Sequence, residues 1–237
     1  MSELFCPICN KPYINKTYTS NGYTTTFPEP QCTCEEEAQK KAEAAERERE
    51  RLRRIEALHL PLIFSKYRLN NLECEHVADA EIYVQGFTPR KSKGLFLFGS
   101  NGNGKTTLAA VICKELAYRG RRCLFTTMTK MLDKMESGVG FNRANTAQKV
   151  LKELLQYDFI VFDDYGREKY NELRLQNVFQ IVDELYTNNI AFCMTANPEC
   201  MLRFAKIPEL EAIADRIGQV LISWEFTKPS FRRAKCQ

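Results

Sequence analysis

The sequence predicts an α/β protein: a parallel five-stranded sheet flanked by helices over residues 60–237, preceded by a small cysteine-rich ribbon and a charged helix. Three observations predict it. After Pro61, five short apolar runs alternate with helix-length stretches, the pattern of a parallel sheet covered on both faces. Residues 35–58 hold neither Gly nor Pro and are dominated by Ala, Glu, Lys, Arg and Leu, as a helix requires. Residues 1–34 are rich in Thr and aromatics and carry two close cysteine pairs on either side of an Asn-Gly turn signal.

Composition bounds the possibilities. The chain has 237 residues, of which 44% are hydrophobic and 27% charged, enough apolar material for one large domain with a small appendage. The net charge of +4 permits contact with nucleic acid without arguing for it. The N-terminal "MSELFCPICN" lacks a basic segment followed by an apolar run, so no signal peptide is expected. No apolar stretch approaches the ~20 residues that span a bilayer, so no membrane partner and a cytoplasmic location are expected. Cys113, Cys123 and Cys193 fall in apolar patterns and read as small reduced core residues.

The ribbon comes first, over 1–34. "CPIC" supplies Cys6 and Cys9, and "CTC" supplies Cys32 and Cys34. Asn21-Gly22 between them favours a type I′ turn, which opposes Ser20 to Tyr23 and Tyr18 to Thr25. Such a hairpin brings the pairs together, and four thiolates suit a tetrahedral Zn²⁺, a staple that so short a segment needs in order to fold. The alternatives to zinc are a redox dithiol at Cys6 and Cys9 or unpaired surface thiols. Tyr13, Tyr18, Tyr23 and Phe27 exceed what so small a core can bury, so some should face a partner. His59 and His76 lie far from the cysteines and are expected to be surface or packing residues.

The charged helix follows as a linker over 35–59. Glu36–Lys40, Glu37–Lys41, Glu43–Arg47 and Glu50–Arg54 are i,i+4 pairs in the favourable order, and acids lead while bases trail, matching the helix dipole. At ~1.5 Å per residue the helix spans about 36 Å. Its apolar positions, Leu52, Ile55 and Leu58, are few, so it is a solvated spacer or a partner-binding surface.

The remaining residues form the sheet domain. Strands are expected at 94–99, 122–128, 157–164, 190–197 and 219–226, and helices at 104–119, 146–156, 171–187 and 208–217, with 129–145 as a connecting loop. In such a sheet, ligands bind at the C-terminal ends of the strands.

One motif stands at such an end. Gly99-Ser100-Asn101-Gly102-Asn103-Gly104-Lys105-Thr106, followed by Thr107, matches G-x-x-x-x-G-K-[ST] between a strand and a helix. Its glycines let backbone N–H groups wrap the phosphates of a nucleotide such as ATP beside a helix N-terminus. Lys105 should reach the β- and γ-phosphates, and the Thr106 hydroxyl should ligate Mg²⁺. "FIVFDD" ends in Asp163, placed to hold that Mg²⁺ through water, and Asp164, placed to orient or deprotonate an attacking water or to be a surface acid of the next turn. The fourth strand ends at "TAN", where Asn197 could hold the attacking water or shape the turn before Pro198. "IADRIGQV" presents Arg216, a residue type that can stabilise charge on a neighbouring copy's γ-phosphate or pair locally with Asp215. "PSFRR" adds Arg232.

Together these residues resemble the AAA+ ATPases that load replicative helicases in bacteria and phages, the DnaC/DnaI type. The resemblance covers residues 60–233 and rests on GSNGNGKTT, "FDDYGRE", "TAN", "DRI" and "SFR". The cysteine-rich module and charged linker look like the zinc-bearing branch of these loaders. The resemblance implies slow, switch-like ATP hydrolysis, a grip on a hexameric replicative helicase through the N-terminal module, self-association through the ATPase domain, and contact with single-stranded DNA. It also implies that Asn197 is sensor I, Arg216 an arginine finger acting in trans, and Arg232 a sensor II residue bound at the nucleotide. Little chain follows the last strand, so little or no helical lid is expected. Transposition helper ATPases share nearly the same core. A P-loop small-molecule kinase would need an acceptor-binding lid rich in Arg, whereas 129–145 offers Lys130, Lys134 and Arg143.

Overall fold

The computed structural model describes residues 4–138, 142–166, 171–199 and 217–229. Arg216, Arg232 and all but the last residue of the helix expected at 208–217 lie outside the described residues. The chain divides into two compact units, Met1–Leu52 and Arg53–Gln237.

In the first unit, β1 (Tyr13–Ser20) and β2 (Tyr23–Pro30) pair antiparallel. Asn21 (φ 48°) and Gly22 (φ 82°) make the turn, and Ser20 faces Tyr23 while Tyr18 faces Thr25, the register the Asn-Gly signal predicts. Strand alternation then sorts the side chains. One face carries Ile14, Lys16 and Tyr18 beside Tyr23, Phe27 and Glu29. The other carries the hydroxyl pairs Thr17–Thr26 at 3.1 Å and Thr19–Thr24 at 3.2 Å.

Helix α1 (Cys34–Glu56) starts in this unit with Glu35, Glu36 and Glu37 in its first turn and ends on Arg53 and Arg54. None of its residues is buried, and Glu43–Arg47 closes at 3.8 Å. An exposed pair of this kind contributes about 0.3–0.5 kcal/mol, so the helix stands on propensity and dipole matching.

The second unit is built on a five-stranded parallel sheet: β3 (Gly94–Gly99), β4 (Cys123–Thr127), β5 (Phe159–Tyr165), β6 (Ala191–Ala196) and β7 (Leu221–Phe226), in the order β4-β5-β6-β3-β7. Alternate strand residues feed opposite cores. Leu95, Leu97, Phe159 and Val161 pack with α2 (Val77–Gly86) and α3 (Lys105–Tyr118). Phe96, Ile160 and Phe162 pack with α4 (Met128–Glu136), α5 (Asn142–Leu154) and α6 (Glu172–Thr187). Each large side chain so buried contributes roughly 1.5–3 kcal/mol, which explains strands apolar at nearly every position.

Two helices go beyond the sequence pattern. The expected loop at 129–145 is helix α4 over its first half: the Thr127 hydroxyl caps it by accepting from Lys130 N at 3.2 Å, and Met128, Leu132 and Met135 fall on one buried face. Arg174 holds α4 to α6, donating to Asp133 at 2.6 Å and Glu136 at 2.9 Å. The second, α2, starts at His76 in the left-handed conformation (φ 62°) and buries Ala80 and Val84.

Candidate functional site: a phosphate-binding loop facing two carboxylates

Because all five strands are parallel, the C-terminal ends of β5, β6 and β3 lie on one edge of the sheet, with β6 in the middle. The loop of residues 99–104 leaves β3 at this edge and feeds α3. Gly99 must be glycine: a Cβ there would stand 2.2 Å from the Phe226 carbonyl oxygen, so β7 ends directly against the start of the loop. Gly104, at φ 100°, turns the chain into α3, whose N-terminus presents backbone N–H groups.

Lys105 is buried at the first position of α3. Its ammonium donates to Gly99 O at 2.8 Å, Ser100 O at 2.6 Å and Asn103 Oδ1 at 3.0 Å. Burial pushes this ammonium below its ordinary pKa, against the opposing pull of Asp164 and Asp163. Asn103 is also buried and donates from Nδ2 to Phe226 O at 3.0 Å. Ser100 and Asn101 are exposed at the loop's rim, while Gly102, Thr106 and Thr107 are half-buried.

Across the loop, β5 is interrupted by a bulge. Phe162 pairs with Met194 and Tyr165 with Ala196, so Asp163 and Asp164 together oppose Thr195. Asp164 adopts φ 59°, a left-handed conformation that Asp tolerates. Thr195 bridges the interrupted ladder: its hydroxyl donates to Asp163 Oδ1 at 2.7 Å and accepts from Asp164 N at 2.8 Å. The Thr106 hydroxyl lies close enough to Asp163 to lower its pKa, so the loop and the carboxylates face each other. Burial raises the Asp163 pKa; the hydroxyls of Thr195 and Thr106 oppose the rise and the Asp164 charge adds to it. A half-buried carboxylate beside a hydroxyl and a second acid has the donor set of a hard divalent cation such as Mg²⁺, whose charge would reverse that rise. Asn197, buried, stands just past the end of β6, between the β5 and β3 tips.

The structure thus brings Lys105, Thr106, Asp163, Asp164 and Asn197 to one edge. Thr195, the residue that ties the two acids together, escapes sequence reasoning. Its only signal there is a Thr two positions before Asn197 at the end of an apolar run. Lys134, one of the three cations of 129–145, is held by Glu153 at 2.6 Å, because its helix α4 packs beside α5.

In the first unit, the Sγ atoms of Cys6, Cys9, Cys32 and Cys34 all lie within 4.8 Å of one another. A tight turn positions the first pair: Cys6 N donates to Lys11 O and Asn10 N to Cys6 O. Hydrogen bonding from the Lys11 backbone lowers the Cys9 pKa to about 7, and sharing a hydrogen bond with Cys9 pushes Cys34 up to about 12. Tetrahedral Zn²⁺ with ~2.3 Å bonds needs sulfurs roughly 3.8 Å apart, so this donor set fits zinc.

A parallel sheet with a glycine-rich loop, its lysine and two facing carboxylates defines a P-loop nucleotide-binding protein. The model of the family of IstB-like ATP-binding proteins matches residues 35–216, and the chain belongs to that family. Among curated relatives, the replicative helicase loader DnaC of Escherichia coli K12 is 31% identical over 133 residues, 54% of this chain and 52% of that protein. An insertion-sequence ATP-binding protein of Sinorhizobium fredii is 26% identical over 146 residues, 60% of this chain and 48% of that one. The chain thus spans about half the length of these relatives. In fold it is like the crystal structure of DnaI, with a TM-score of 0.61 at 23% identity over 75% of this chain and 98% of that one. The likeness is one of fold: a parallel five-stranded sheet flanked by helices.

Proposed function

We propose that the chain is an ATP-dependent loader that binds a hexameric replicative DNA helicase and places it on single-stranded DNA at replication initiation. The observation that carries this reading is the union, in one chain, of a phosphate-loop domain in a chain similar to DnaC with a four-thiol ribbon whose aromatic face is exposed. Tyr23 is 82% exposed, Phe27 55% and Tyr18 50%, and no other described residue of the first unit covers that face. The Lys16–Glu29 pair at 2.5 Å and the Tyr18 hydroxyl bonded to Glu29 engage three polar groups of that face with one another, leaving its aromatic rings exposed to a partner. On this reading the units are a zinc ribbon over 1–34, a helical linker over 35–59 and an AAA+ ATPase domain from 60, in a cytoplasmic protein.

In the ATPase domain, Lys105 and the backbone of 99–107 hold the triphosphate, and Thr106 and Asp163 would hold Mg²⁺, which would supply neutralisation of the phosphate charge. Asp164 and Asn197 orient the attacking water. Arg216 supplies positive charge to a neighbouring copy's nucleotide, and Arg232 contacts the nucleotide from the C-terminal segment. Asp is one methylene shorter than Glu, so slow, switch-like hydrolysis suits Asp164.

The test is reconstitution of the full-length chain with the replicative helicase of its own host, ATP and single-stranded DNA. Co-elution with the helicase and ATP-dependent transfer onto DNA are expected. Capture of a transposase in place of the helicase would overturn the proposal in favour of a transposition helper, the second reading, which the family's IstB-like description and the Sinorhizobium relative favour.

A further inference from the structure

The end of β7 is gripped from two sides by side chains that the ATP chemistry above does not use. The Phe226–Thr227 peptide unit is the centre of this grip. Its carbonyl oxygen accepts from Asn103 Nδ2 at 3.0 Å, and its N–H donates to Glu75 Oε1 at 3.2 Å. Glu75 also accepts from the Thr227 hydroxyl at 2.8 Å and from Lys228 N at 3.0 Å. His76, next in the chain, bonds Glu225 O at 2.8 Å through Nε2, stacks on Trp224 and meets Phe226 edge-on.

Asn103 connects this grip to the phosphate site. An ammonium has three donors, and Lys105 directs all three at acceptors of its own loop, one of them Asn103 Oδ1. The amide's orientation is fixed by chemistry: a lysine cannot accept and a carbonyl cannot donate, so oxygen faces Lys105 and nitrogen faces Phe226. Asn103 is 1% exposed, so neither end of its amide has ready access to water as a substitute. A phosphate oxygen that takes a proton donor from Lys105 forms a charge-assisted bond, stronger than the neutral acceptors it displaces. Of the three acceptors, Asn103 Oδ1 is the farthest and the only side chain, hence the one most easily given up.

We propose that Asn103 is a positioning residue that couples phosphate binding at Lys105 to the Phe226–Thr227 peptide at the end of β7. When the ammonium turns to phosphate, the buried Asn103 oxygen loses its partner, the amide reorients, and its hold on Phe226 O weakens. Glu75 is then the one side chain still holding that peptide plane, through its N–H, so the plane opens more often and the change is read at Thr227. The chain beyond β7 leads toward Arg232, and its point of departure thereby depends on the nucleotide. This inference rests on the nucleotide site proposed above.

The experiment is hydrogen exchange of the full-length chain with and without a non-hydrolysable ATP analogue and Mg²⁺, read on peptides covering 222–229. In the natural sequence the analogue should speed exchange at Thr227 several-fold. At saturating analogue, Asn103→Ala should lack that nucleotide-dependent change. Asn103→Asp puts a carboxylate where it competes with phosphate for Lys105, and should weaken binding at least about tenfold. An identical nucleotide-dependent change at Thr227 in Asn103→Ala, or unaltered affinity in Asn103→Asp, would overturn the coupling. Failure of the natural chain to bind the analogue would instead overturn the nucleotide site itself, and the coupling with it.

Discussion

The Thr195 hydroxyl donates to Asp163 Oδ1 at 2.7 Å while accepting from the backbone N–H of Asp164 at 2.8 Å, so one side chain sets the position of both acids. Thr195 is 2% exposed, and water cannot replace it. Thr195→Val keeps the shape and removes both bonds, leaving the Asp163 carboxylate and the Asp164 N–H without that partner. A stability loss of about 1–3 kcal/mol is expected in urea unfolding. ATP hydrolysis should fall by a larger factor than ATP affinity, because the bulge that aims Asp164 relaxes while the phosphate loop stays intact. Unchanged stability together with unchanged turnover would remove Thr195 from the site.

The loop and the acids should separate in their effects. Lys105→Ala deletes a cation and its bond to phosphate, and ATP affinity should drop about 100-fold or more. Asp164→Asn leaves Asp163 and Thr106 in place, so Mg²⁺-ATP should still bind while hydrolysis slows. Equilibrium binding of a fluorescent ATP analogue beside phosphate-release kinetics measures both. Equal loss of affinity in the two variants would refute this division of labour.

How much of the molecule is legible in the sequence depends on how local each signal is. The hairpin register follows from Asn21-Gly22 alone, and the five strands from apolar runs too short for helices. The phosphate loop is legible because its spacing and its place between strand and helix are both local. Helix α4 is not: its cap is Thr127, the last residue of β4, so strand and helix share a junction with no punctuating Gly or Pro. Thr195 is invisible because its partners come from a bulge 31 and 32 residues earlier, a relationship that exists only once β5 and β6 pair. Asn103 looks like loop filler for the same reason, since its second partner, Phe226, is 123 residues away.

Contact with single-stranded DNA should depend on cations that are not already held. Lys130 is exposed on α4, whereas Lys134 is engaged by Glu153 at 2.6 Å. Lys130→Ala should therefore weaken DNA binding in the presence of ATP more than Lys134→Ala does. Removing one cation from the DNA phosphates should flatten the dependence of log affinity on log salt by about 0.7 for a single strand. Fluorescence anisotropy with a labelled oligonucleotide across a salt series measures both quantities. An affinity indifferent to salt would exclude this electrostatic attraction.

The ribbon makes the last prediction. With four sulfurs within 4.8 Å and only Cys6 among them buried, residues 1–34 have little apolar core, and a metal is what can hold the two cysteine pairs together. The full-length chain should bind one Zn²⁺, and Cys32→Ser should lower that to substoichiometric binding in a chromogenic chelator assay. Proton linkage gives the sign of the pH dependence. Zinc requires thiolates, and the cluster runs from Cys9 at about 7 to Cys34 at about 12. Uptake must therefore release protons from the high-pKa thiols, and affinity must fall as pH falls. A decline of roughly tenfold or more per pH unit between about pH 8 and pH 6 is expected. Loss of the metal should unpin the strands carrying Tyr18, Tyr23 and Phe27 and abolish helicase capture, while ATP binding in the same variant persists. Helicase capture at undiminished affinity by zinc-free Cys32→Ser protein would move the partner-binding surface out of the ribbon and into the ATPase domain.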